Sequence, residues 1–285
     1  MTFKSIHLVT LLCVLAPLAC APAIQTPPRQ ATPNATASPV DAKPAPTAAP
    51  PTAIAAPKVV GEVPTSCAAL AQTPVAASTG DCPKDDVARL SALDRAMAID
   101  DVVTRDTSLK TIEGCGGFEP GLMRALRADL APPECADAIV DALLKPGAEN
   151  LGIEVAQVLR GLSLGARLIR TSDQPPQLTP PFSRENFQAF LKSSIAPWYV
   201  AQSKVVFDMA SSGAKLSGYG KAIVALEAGL SDLRFVENMR KVSLPAEMTA
   251  DREVVEVYQQ SLEDALDPRK LRGRDAVLVA MINLS

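Results

Sequence analysis

AIVALEAGLSDLRFVENMRKV, residues 222–242, places Ile223, Leu226, Leu230, Leu233, Val236 and Met239 three or four positions apart. That period is one face of an α-helix, and the stretch predicts an amphipathic helix of about five to six turns. The same reading extends in both directions. Downstream, Pro245 closes the segment, Thr249 is placed to cap a helix carrying Val254, Val255, Tyr258, Leu262 and Leu266, and Asp267-Pro268 suits the start of a last helix. The terminal Val277-Leu278-Val279-Ala280-Met281-Ile282 is apolar nearly all round, which predicts a buried helix, with a short strand as the other reading. Upstream, Ser183 suits the N-cap of a helix with Phe187, Phe190 and Leu191, and Pro197 ends or restarts it before 198–209, which carries Val205 and Val206.

Residues 171–182 hold four prolines and read as a loop and internal boundary. Before it, helical spacing recurs in 83–103 (Val87, Leu90, Leu93, Met97), 119–130 (Leu122, Leu126, Leu130), 134–144 (Ile139, Leu143, Leu144) and 148–169 (Ile153, Val155, Val158, Leu162, Ile169). With 4% aromatics and no alternating strand pattern, the expected fold is all-α, built of antiparallel helical hairpins or a bundle, or a short α-solenoid. Roughly 220 residues beyond Pro64 are enough for one sizeable core or two small ones, divided here into a Cys-containing region, 65–170, and a C-terminal region, 183–285.

The N-terminus has a different character. Lys4, an apolar run over 8–18 and small Ala19 precede Cys20, and the run is too short to span about 30 Å of hydrocarbon. Residues 1–19 therefore read as a signal peptide. From Cys20 to position 64 the chain is dominated by Pro, Ala and Thr, which predicts a disordered tether of polyproline character.

Charge and reactive residues narrow the function classes. Without Lys4 the chain has 27 Lys and Arg against 31 Asp and Glu, a net charge of about −4, so nucleic acid is not an expected partner. Histidine occurs once, at His7 within the signal, which excludes Ser-His-Asp and Cys-His catalysis and His-ligated zinc from the remaining chain. Cys67, Cys82, Cys115 and Cys135 suit two disulfides with three possible connectivities; the sequential pairing, Cys67 with Cys82 and Cys115 with Cys135, closes the shortest loops. No cofactor or metal site is expected. Asp85-Asp86 and Asp100-Asp101 lack the alternating ligand pattern of a calcium loop and read as helix-surface acids.

Leu15-Ala16-Pro17-Leu18-Ala19-Cys20 resembles the bacterial lipoprotein signal. The resemblance implies cleavage before Cys20, its acylation, and attachment to a membrane of the cell envelope, the outer membrane facing the periplasm being favoured by Ala21. A plain secretory peptide is the alternative. After Ser183 the helical pairs look like a tetratricopeptide-type solenoid, without its 34-residue recurrence. Three short matches are incomplete. Ser212-Gly213-Ala214-Lys215 has the Ser-x-x-Lys spacing of penicillin-recognising enzymes but no second element, Gly213 to Lys221 has Tyr219 where a phosphate loop needs Lys, and Gly121-Leu122-Met123 is a fragment of the lytic transglycosylase signature without its Glu.

These features favour an anchored, non-enzymatic helical module that docks other envelope proteins over a carboxylate-dependent enzyme acting on cell-wall glycan or a glycan-binding module. Candidate binding residues are the aromatics Trp198, Tyr199 and Tyr219, and the basic cluster Arg269, Lys270, Arg272 and Arg274.

Overall fold

A computed structural model describes residues 59–71, 82–145, 151–171, 175–242 and 244–284. Cys20, the signal and the tether up to residue 58 lie outside them; residues 59–64, expected to belong to the tether, instead pack on the helical body, with Val59 buried, Val60 bridged to Thr171 and the Gly61 N–H donating to the Arg170 carbonyl. In chain order the helices are α1 (Asp86–Met97), α2 (Val102–Cys115), α3 (Pro120–Leu130), α4 (Ala136–Val140), α5 (Ile153–Ile169), α6 (Arg184–Phe190), α7 (Ala196–Gly213), α8 (Gly218–Arg240), α9 (Ala246–Thr249) and α10 (Arg252–Leu284). The fold is all-α, and among the described residues no strand is present beyond an isolated bridge between Val60 and Thr171.

The helix starts follow from local chemistry. Asp85 accepts from the Ala88 N–H and Asp101 from that of Thr104, so both acid pairs of the sequence supply helix caps. Asp101 splits the single helix expected over 83–103 into α1 and α2. Glu119 caps α3 through Gly121 and Leu122, and Ser183 caps α6 through Asn186. Thr249 caps nothing; its hydroxyl donates to the Ala246 carbonyl, and Asp251 accepts from Glu253 and Val254 at the start of α10. Pro268 lies inside α10 instead of opening a new helix. Buried Leu266, Arg269 and Gly273 hold this stretch against α8, which offsets the lost N–H of the proline.

α8 is the centre of the molecule, contacting α5, α7 and α10. Its buried positions are Gly220, Ala222, Val224, Ala228, Gly229, Ser231, Asp232, Phe235, Val236 and Met239, whereas Ile223, Leu226, Leu230 and Leu233 are half-buried. A helix packed on several sides places small residues where neighbours come closest. A Cβ on Gly161 of α5 would lie 2.4 Å from the Gly220 Cα, and one on Gly229 would lie 2.6 Å from the Gly273 carbonyl of α10. Helices on the two sides of the proline-rich 175–182 stretch thus meet backbone to backbone.

The disulfides join Cys67 to Cys135 and Cys82 to Cys115. This nested pairing replaces the sequential one. α1 and α2 pack as a hairpin, so Cys82 just ahead of α1 meets Cys115 at the end of α2, and hairpin geometry overrides the preference for short loops. The Cys67–Cys135 bridge belongs to a core with Leu70, Ile139, Val140, Leu159 and Leu162. A second core, around Phe187, Trp198, Phe235 and Leu266, joins α6, α7, α8 and α10. Residues 277–282 are helical, but Leu278, Met281 and Ile282 face outward and only Ala280 is buried fully.

Candidate functional site

Four of the residues singled out by the sequence converge on one buried cluster. Trp198 stacks on Phe235 at 5.0 Å between centroids, Tyr199 meets the same ring edge-on, and the Arg269 guanidinium lies 3.6 Å above it. Arg269 Nε donates to Asp232 Oδ1 at 2.8 Å and Nη2 donates to Gln202 Oε1. Arg272 grips Asp232 from the half-exposed side at 2.6 and 2.9 Å. Burial pulls the Arg269 pKa down, against the opposing pull of Asp232, while the hydrogen bond from Arg272 to Asp232 raises that of Arg272. Trp198 and Arg269 are almost fully enclosed, so they tie α7, α8 and α10 together and offer little surface to a partner.

The remaining candidates are dispersed. Lys270 pairs with Asp267 and Arg274 lies 4.0 Å from Asp275, both exposed on α10. Tyr219 donates its hydroxyl to Asp129, joining α8 to α3; burial first, then this bond, pushes its pKa up to about 12. Glu227 is a half-buried carboxyl pushed upward by burial, with Arg234 acting in the opposite direction. It lies near Gly165 of α5 and lines neither of the concavities described here.

A groove of about 630 Å³ forms where the end of α4, one face of α5 and the turn after α7 meet. α5 contributes Gln157, Arg160, Ser163, Leu164 and Arg167, spaced along that face, while Leu144 and Lys145 follow α4, Ser212 lies at the end of α7, and Lys215 and Leu216 lie in the turn after it. Gln157 Oε1 accepts from the Ser217 N–H and hydroxyl at 2.7 and 2.6 Å, which pins the α7–α8 turn on α5. Asp141 takes bonds from Ser163 and Arg167, each 2.6 Å. The carboxylate is thereby neutralised, and among the described residues Lys145, Arg160 and Lys215 have no ion-pair partner. The groove therefore has a cationic rim over half-buried leucines.

Ser212 donates to the Asp208 carbonyl at 3.0 Å, so its proton is directed into helix backbone and not toward Lys215. A smaller hollow of about 300 Å³ lies between α1 and α2 beside Cys115. Among the described residues no group of three Cys, Asp or Glu is arranged to hold a metal, and no helix is long and apolar enough to cross a membrane. Sequence reasoning missed the groove because its cations are scattered over three elements. The spacing of Gln157, Arg160, Leu164 and Arg167 was the one local signal. Comparison with protein-family models, curated proteins and solved structures finds no match to the chain.

Proposed function

We propose that this chain is a lipid-anchored cell-envelope protein, attached through Cys20 and carried on a Pro/Ala/Thr-rich tether, whose helical body is a non-enzymatic docking module. The cationic groove between α4, α5 and α7 is the observation that carries this reading. Its cations are available for contact, its carboxylate is already bonded, and its two serine hydroxyls are engaged, Ser163 by Asp141 and Ser212 by helix backbone, a set suited to holding a charged partner. The sequence supplies the address: an apolar segment ending at Cys20 and an extended spacer behind it.

A photocrosslinking residue at Ser212, on the groove rim, should yield a protein adduct in intact cells, while one at exposed Val257 on α10 should not. Absence of any adduct from Ser212 contradicts the docking role. Mass spectrometry of the mature N-terminus should find an acylated Cys20; an unmodified terminus elsewhere contradicts the anchor.

A further inference from the structure

We infer that the groove takes an acidic segment of a partner protein that also carries aliphatic side chains, an inference that rests on the docking-module reading. Lys145, Arg160 and Lys215 come from three separate elements, and among the described residues none is neutralised by a neighbour. Below them Leu144, Leu164 and Leu216 are half-buried, so each still presents apolar surface to the groove. An apolar floor inside a charged rim is the anatomy of a protein interface: the floor supplies desolvation and the rim steers and orients. The groove lining contains no aromatic ring on which a sugar could stack, which favours a peptide over a glycan. The charge complement is negative, because three rim cations face the occupant while Arg167 is already engaged with Asp141.

The test uses purified full-length chain and a short fluorescent peptide repeating Glu-Leu-Asp, read by fluorescence anisotropy. Binding should weaken as salt rises. Lys145→Glu combined with Arg160→Glu and Lys215→Glu should weaken it at least about tenfold, the loss expected for reversed charges at a contact. The side chains of the three residues make no described bond, so the reversals remove no internal contact, and unchanged helicity by circular dichroism shows that the variant is folded. A peptide with the same charges and Ser in place of Leu should bind more weakly by about tenfold or more, the scale of burying one leucine side chain. Equal binding of the Leu and Ser peptides, or binding of inorganic polyphosphate in preference to both, overturns the inference in favour of a simple polyanion site. If no probe binds while Ser212 still crosslinks to a protein in cells, this inference fails and the docking role stands; if crosslinking also fails, both fall.

Discussion

The helices up to α4 and those from α6 onward each enclose an arginine, and they secure it by different means. Arg127 is fully buried and saturated: Nε reaches Asp106 at 2.8 Å, Nη1 reaches Glu113 at 2.7 Å and Nη2 reaches the Leu70 carbonyl at 3.0 Å. Arg124 shares Glu113 and Lys110 shares Asp106, forming a network that two disulfides enclose covalently. Arg269 instead lies on the Phe235 ring, has one carboxylate that it shares with Arg272, and leaves Nη1 without a partner among the described residues. No cysteine supports it. The first region depends on ionic saturation and cross-links, the second on aromatic packing and close glycine contacts.

Reduction should separate the two regions most strongly. The bridges span 68 and 33 positions, and loop-closure entropy assigns each about 4 kcal/mol. With a reductant present, hydrogen exchange should accelerate in α1–α4 while α8 and α10 keep their protection. Equal acceleration throughout would show that the difference in construction has no energetic counterpart.

Removing the arginines gives a sharper contrast. Arg127→Met leaves Asp106 with Lys110 alone, Glu113 with Arg124 alone and the Leu70 carbonyl without its donor, three buried interactions whose loss should together cost about 3–5 kcal/mol. Arg269→Met leaves Asp232 paired with Arg272 and should cost about 1–3 kcal/mol, since the methionine can still cover Phe235. Denaturant titrations that find equal losses would contradict the distinction.

Gly161→Ala tests the packing that joins the regions. The added methyl meets Gly220 backbone, so α5 and α8 must separate, with an expected loss of roughly 1–3 kcal/mol in thermal melts. Gly152→Ala, with open space around the position, should change stability far less.

The smallest effect is a gain. Burial raises the folded pKa of Glu227 above its ordinary 4.5, so the folded chain holds that proton more tightly than the unfolded chain. Its contribution is greatest at acid pH and declines as pH rises past that value. Glu227→Gln should raise stability slightly at neutral pH, and the difference should disappear in acid. A gain that grows on acidification would contradict the sign.

Most helices were legible because their capping residues and three-to-four spacing are local. Ser183 and the run from Ile223 to Met239 show this directly. What local pattern could not reveal was which neighbours a helix would meet. α8 reads as amphipathic yet is surrounded, because its small residues admit α5 and α10 at close range. Pro268 has the mark of a helix start, but α8 packing keeps α10 continuous across it. The disulfide pairing likewise follows from a hairpin that short-loop reasoning ignores. The basic run from Arg269 to Arg274 stood out because its charges are adjacent, although Arg269 turns inward. The groove cations Lys145, Arg160 and Lys215 are brought together only by the fold.

The groove as the working face is tested most directly by crosslinking from Ser212 in intact cells, comparing two charge-reversed chains. Lys145→Glu, Arg160→Glu and Lys215→Glu together should abolish the adduct, while Lys270→Glu with Arg274→Glu on α10 should leave it unchanged. An adduct that survives the groove reversal and disappears with the α10 reversal would contradict the account and place the contact on the basic helix.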